Sequence, residues 1–162
     1  MRTSDTSQRG ITTAAHCSNS QKFNGRSVLT FISQHAGSQG DAQWHRSSEY
    51  VSTRFYYKPG ATRNVERVAT PALGQRICRY GKTTGAHCDD VYKKNQCRDV
   101  YCGLMATHRR HAEGGDSGGP WYYGPTAYGI HHGWKTIFLI RRDLFTPVRQ
   151  AHSVLGVLCR CA

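Results

Sequence analysis

Acidic residues are scarce in this chain, long apolar runs are absent, and no cysteine occurs before Cys17. Each shortage removes something. The longest apolar stretches are pieces such as Ile137-Phe138-Leu139-Ile140, far short of the roughly 18–20 residues that a bilayer-spanning helix needs. The opening Met1-Arg2-Thr3-Ser4-Asp5 is polar and carries no apolar core for a signal peptide. Ten Asp and Glu face 22 Lys and Arg, a net charge of +12. Such an excess fits nucleic-acid or membrane-surface binding, but the basic residues are scattered. The only clusters are pairs such as Lys93-Lys94, Arg109-Arg110 and Arg141-Arg142. With no basic run and no nucleic-acid motif, a nucleic-acid-binding module is the weakest reading, and no membrane insertion is expected. Internal repeats and long linkers are missing too, and 162 residues suffice for one domain or two small ones.

What is present is concentrated in Glu113-Gly114-Gly115-Asp116-Ser117-Gly118-Gly119-Pro120. Gly115, Gly118 and Gly119 surround one hydroxyl, and glycine permits turns and close approaches that a side chain forbids. A turn of this kind can aim backbone N–H groups at a point beside Ser117 Oγ, where a carbonyl oxygen becoming an oxyanion would sit. A serine hydroxyl is a poor nucleophile at neutral pH and needs a base. Thr13-Ala14-Ala15-His16-Cys17 offers His16, an imidazole able to take the serine proton and return it to a leaving amine.

Short segments rich in β-branched and aromatic residues recur along the chain. They cover Ser27 to Ser33, Tyr50 to Tyr57, Trp121 to Tyr123 and Trp134 to Ile140, with glycine and proline turns between several of them. The pattern predicts an all-β barrel or sandwich. One late helix is expected from Thr146 onward, with Thr146 as cap and Pro147 in the first turn. Val148, Ala151, Val154, Leu155 and Leu158 form its apolar stripe. Seven cysteines make an odd count, which implies a free thiol, an intermolecular bridge or a missing piece. Cys97 and Cys102 are close enough in sequence to bridge. A zinc set of Cys78, His87, Cys88 and Cys97 fits no common ligand spacing, so no metal or other cofactor is expected.

The pair TAAHC at 13–17 and GDSGGP at 115–120, in this order, resembles the chymotrypsin-like serine proteases. A third segment, Ile77-Cys78-Arg79-Tyr80-Gly81-Lys82-Thr83-Thr84-Gly85-Ala86-His87-Cys88, is similar to a stretch of their bacterial, streptogrisin-like and α-lytic-protease-like members. The resemblance implies two six-stranded Greek-key β-barrels with a C-terminal helix and the site in the cleft between them. Residues 1–70 would form the first barrel and 71–162 the second, with Pro71-Ala72-Leu73-Gly74 as the crossover. The expected chemistry is peptide-bond hydrolysis by His16, an acid and Ser117 through an acyl-enzyme, on protein or peptide substrates, by a secreted monomer.

The family order His, Asp, Ser puts the acid between residues 17 and 116. Asp41, Asp89, Asp90 and Asp99 are candidates, Glu49 and Glu66 weaker ones. Asp41 is preferred, because it follows the apolar run Val28 to Ile32 and shares the first half of the chain with His16. The resemblance further implies an oxyanion hole from the N–H groups of Gly115 and Ser117, a disulfide between Cys78 and Cys88, and a buried Arg79–Asp116 ion pair. His111, Ala112, Glu113 and Gly114 would line one wall of the primary pocket, and His131, His132, Gly133 and Trp134 the other. In relatives that second strand carries a small polar residue and then glycines, so His132 and Trp134 depart from the pattern. His131 falls near the position where glutamate-specific relatives place a histidine. Only 15 residues precede His16, and the usual partner of Cys17 would lie on earlier strands. The chain is therefore expected to begin inside an incomplete first barrel, and the alternative reading is a catalytically inactive protease-like fold that binds a partner.

Overall fold

Alternation dominates the local structure, as a strand with one half-buried face requires. Over Leu29–Gly37 every second residue is exposed and the rest are partly buried. The structure, a computed structural model, describes residues 8–159 and 161; the polar opening Met1 to Asp5 lies outside them. Six strands occupy the first part: β1 (Gly10–Thr13), β2 (Leu29–Gly37), β3 (Gly40–Ser47), β4 (Arg54–Lys58), β5 (Ala61–Asn64) and β6 (Arg67–Val68). Six more follow: β7 (Arg76–Gly81), β8 (Gly85–Arg98), β9 (Tyr101–Thr107), β10 (Pro120–Tyr123), β11 (Thr126–Ile137) and β12 (Ile140–Pro147). A single helix, α1 (Val148–Leu155), comes last.

The two halves pair differently. β1, β3 and β2 form a three-stranded antiparallel sheet, and β4 and β5 a separate hairpin. In the second half the order β10-β7-β8-β9-β12-β11 is completed by a β10–β11 pairing, so the ladder returns to its start through six strands. The division expected at residue 70 falls between β6 and β7, although β6 itself pairs in parallel with β11. Ile77, Val91, Met105, Trp121, Tyr128 and Phe145 fill the interior of the second half. Full burial of one such large apolar side chain is worth about 1.5–3 kcal/mol. A smaller cluster of Ala14, Ala42, Ile130 and Ala151, with Cys17 and Leu155 against it, joins β3, β11 and α1. That cluster is where the halves meet.

Three sequence expectations need correcting. The segment Trp134 to Ile140 is not one strand: Phe138 and Leu139, both with positive φ, make the turn between β11 and β12. Tyr50 to Thr53 lies outside β4, which starts at Arg54. Thr146 does not cap the helix, which starts at Val148 with Pro147 in the cap position and no side-chain cap bond. Its hydroxyl is buried on β12 and engaged with Asp41 instead. Of the expected stripe, Val148 and Ala151 are buried, Val154 and Leu155 partly buried, and Leu158 exposed.

Candidate active site

The glycine-rich turn that carries Ser117 is built against β7 and β11. Gly118 donates its N–H to the His131 carbonyl (2.9 Å), and His131 returns one to the Gly119 carbonyl (2.8 Å). Gly118 has φ +81°, and a Cβ there would collide with the Thr13 side chain, so only glycine lets the serine turn approach the histidine segment. Backbone N–H groups of Asp116, Gly118 and Gly119 are all used in such bonds. Those of Gly115 and Ser117 make none among the described residues. Two donors beside one hydroxyl are thereby left for an incoming acceptor.

Beneath the turn, Asp116 and Arg79 are both fully buried, with Arg79 Nη1 3.2 Å from Asp116 Oδ2. Burial would raise the Asp116 pKa, but hydrogen bonds from the Glu113 N–H, the Thr84 hydroxyl and the Thr83 and Thr84 N–H groups outweigh it. They hold the carboxyl below the usual range. Arg79 also donates Nη2–H to the Thr84 hydroxyl at 2.7 Å. A disulfide joins Cys78 on β7 to Cys88, its cross-strand partner on β8. A second joins Cys97 to Cys102 and a third Cys159 to Cys161, so Cys17 is the free thiol. Burial first, opposed by a Thr13 hydrogen bond, pushes that thiol's pKa up.

His16 sits at the mouth of the cleft, with Nε2 2.8 Å from Ser117 Oγ. Its Nδ1 lies 2.5 Å from Asp41 Oδ2, and its backbone N–H donates to Asp41 Oδ1 at 3.0 Å. An ionised carboxylate only accepts, so Nδ1 carries the proton and Nε2 is free to accept from the serine hydroxyl. Asp41 is fully buried on β3. Burial acts to raise its pKa, but hydrogen bonds from His132 and His16 prevail and hold it well below the usual carboxylate range. Of the other candidate acids, Asp89 accepts from the Arg109 N–H and Asp90 pairs with Arg76. Neither reaches His16. Asp99 lines the cleft without bonding His16, Glu49 pairs with Arg26, and Glu66 bonds through its backbone to Pro125.

Residues that the motifs did not flag fix this arrangement. Gln43, two residues after Asp41, donates Nε2–H to the carbonyls of Ala14 and Cys17 at 2.8 and 3.1 Å, clamping the turn that holds His16. The Thr146 hydroxyl accepts the Asp41 N–H at 2.9 Å and lies 3.3 Å from the Asp41 carbonyl. His132 Nδ1 lies 2.6 Å from Asp41 Oδ2, the same oxygen that faces His16.

The cleft, about 360 Å³, opens beside Ser117. Ala112, Glu113 and Gly114 line it, together with His131 to Trp134. His111 is a correction: it lies outside the cleft, because its N–H bonds Asp143 at 2.9 Å and its ring stacks on His87 at 5.4 Å. Arg98, Tyr101 and Arg110 line the cleft and were not read from the sequence. Trp134 carries the guanidiniums of Arg110, Arg141 and Arg98 at 4.7, 5.0 and 5.6 Å from its ring. His131 is buried, accepts Trp121 Nε1–H on Nδ1 at 3.3 Å, and so carries its proton on Nε2. Burial, and then the charge of Arg79, push its pKa down to about 3.

His16, Asp41 and His132 also have the residue types of a metal site. Both ring nitrogens lie 2.5–2.6 Å from one oxygen, a hydrogen-bond spacing. Ligands around a tetrahedral zinc would stand about 3.3 Å apart. The cysteine set weighed above is consumed by disulfides.

No protein-family model matches the chain. A curated relative, serine protease 2 of Streptomyces fradiae, is 33% identical over 94 residues, covering 55% of this chain and 53% of that protein. The match thus spans about half the length of that relative. Thermobifida fusca protease A superposes with a TM-score of 0.81 at 31% identity, over 96% of this chain and 87% of that one. A glutamic-acid-specific serine protease described as using a histidine triad in substrate binding shares the fold, with a TM-score of 0.76 at 24% identity, over 91% and 84%. With the fold, the site geometry and the Thermobifida relative in agreement, the chain belongs to the bacterial chymotrypsin-like serine proteases.

Proposed function

We propose that this protein is a serine endopeptidase working through Ser117, His16 and Asp41. The observation that carries the reading is the unbroken line of contacts from Asp41 Oδ2 through the His16 ring to Ser117 Oγ, at 2.5 and 2.8 Å. Ser117 Oγ attacks the scissile carbonyl as its proton passes to His16 Nε2, and the resulting imidazolium is stabilised by Asp41. The Gly115 and Ser117 N–H groups receive the oxyanion. His16 then protonates the departing amine, leaving an acyl-enzyme, and activates a water that releases the acid. This division of roles is the handed-down scheme for such triads, and loss of one oxyanion donor costs about 100- to 1000-fold in rate. Three disulfides support a secreted enzyme, and no helix among the described residues is long and apolar enough to cross a membrane.

The test is labelling by a serine-directed fluorophosphonate. Labelling that disappears in Ser117→Ala is the expected result. A folded chain that stays unlabelled would instead support the non-catalytic binding reading. An acidic side chain in the primary pocket is a second reading, supported by the His131 Nε2–H donor and by Arg98 on the cleft wall. Cleavage of a peptide library checks it, and lack of enrichment for Glu or Asp before the cut removes it.

A further inference from the structure

Three guanidiniums gather on one indole beside the catalytic serine. Arg110, Arg141 and Arg98 stand 4.7, 5.0 and 5.6 Å from the Trp134 ring. Arg110, Arg98 and Trp134 line the same cleft as Ser117. Only Arg110 meets a carboxylate at hydrogen-bond distance, with Nη2 2.7 Å from Glu113 Oε2. Arg98 lies 4.0 Å from Asp99, and Arg141 makes no ion pair among the described residues. Three like charges packed on one ring favour an incoming anion.

Arg110 is the best held of the three. Its Nε–H donates to the Ala112 carbonyl at 2.9 Å, while its guanidinium sits over Trp134. Trp134 pairs across the β11–β12 ladder with Asp143, whose carboxylate accepts the N–H groups of His111 and Ala112 at 2.9 and 3.3 Å. The segment that bears Arg110 is thereby pinned beside the indole. A guanidinium has five N–H donors, and those on Nη1 have no partner among the described residues. Glu113 is held differently. Its backbone exchanges hydrogen bonds with Asp116 at 2.9 and 3.2 Å. Its side chain is 60% exposed, against 19% for Arg110. Rotation about side-chain bonds alone can therefore release Arg110 without moving the Ser117 turn.

We propose that Arg110 is the specificity-determining residue of the cleft, the receptor for a substrate carboxylate, and that Glu113 is its built-in competitor. An acidic side chain of the substrate displaces Glu113 and takes the guanidinium on Trp134. The inference rests on the protease reading above and names both the receptor and its regulator for the acidic reading of the same pocket. His131, held neutral by burial, offers one N–H and no charge. A guanidinium offers a charge and two parallel donors, which makes the stronger bond to a carboxylate. An ion pair with an exposed partner is weak, so Glu113 yields to a carboxylate that the bound peptide holds in place.

The test uses two peptides that differ only in Glu or Gln before the cleaved bond. The wild type is expected to favour Glu by roughly 10- to 100-fold in kcat/KM, as for hydrogen bonds to a charged group. Arg110→Met brings that ratio to about one. Arg110→Lys keeps part of it, because an ammonium retains the charge without the planar fork. Glu113→Gln removes the competitor and lowers KM for the Glu peptide by about 2- to 5-fold, raising the ratio by the same factor. A ratio taken on one preparation does not depend on the fraction that is folded. A wild-type ratio near one, an undiminished ratio in Arg110→Met, or an unchanged or higher KM in Glu113→Gln would overturn the inference. Ser117-dependent labelling of the same preparations leaves the protease reading intact in each of those cases. Absence of that labelling in the wild type would overturn the protease reading itself.

Discussion

The serine side and the histidine side of the cleft are held by different means. Ser117 sits on a turn locked from below by the buried Arg79–Asp116 pair, by the Cys78–Cys88 bridge and by strands whose ladder closes on itself. Asp41 lies on a three-stranded sheet and His16 on the turn after its strand β1, and both are oriented largely by single side chains: Gln43 from within, and Thr146 and His132 from across the interface. One side therefore owes its geometry to its own fold. The other takes it in part from its neighbour, so that damage to the second half of the chain disables groups in the first.

The strongest way to break the histidine side is Asp41→Asn. It puts a donor against two Nδ1–H groups, forces the wrong His16 tautomer, and is expected to cut kcat by about 10,000-fold with the fold retained. Steady-state kinetics beside circular dichroism checks it. On the serine side, Arg79→Met leaves Asp116 buried without its cation and should cost about 3–5 kcal/mol, read as a fall in the urea midpoint. If that variant unfolds at the wild-type midpoint, the turn is not anchored as described.

A pH effect on stability reaches both sides. Burial holds His131 neutral, with a pKa of about 3, whereas an unfolded histidine titrates near 6.5. The unfolded chain thus takes up a proton that the folded chain refuses. Stability contributed by His131 is complete above about pH 6.5 and declines as pH falls toward 3, by up to about 1.4 kcal/mol per pH unit. Burial lowers the pKa of His45 and His152 in the same direction. Urea midpoints measured across this window should fall more steeply for the wild type than for His131→Phe. The smallest effect expected is for Thr146→Val, which deletes one buried hydroxyl and costs about 1–3 kcal/mol. A drop in kcat larger than the change in KM would show that Asp41 has lost its anchor.

The motifs made much of the site legible, because each is a local backbone device. The glycines around Ser117 and the alanines before His16 are close to their functional atoms in sequence. Arg79 and Asp116 were readable only through resemblance. The contacts that were missed act over long separations: Thr146 and Asp41 are 105 residues apart, and His132 and Asp41 91. No local pattern marks such a contact. Thr146 was read as a helix cap because threonine before proline ordinarily serves there, yet a buried hydroxyl goes where an unmet N–H waits. His111 was placed in the pocket through the resemblance, whereas its N–H is bonded to Asp143.

The Thr146–Asp41 contact also has a consequence in time. During synthesis Asp41 is made 105 residues before the hydroxyl that fixes it, which belongs to β12. Domains begin folding from the N-terminal end as the chain emerges, but this active site cannot be completed until position 146 has been added. Asp41 therefore gains the partner for its N–H only when β12 docks against β3.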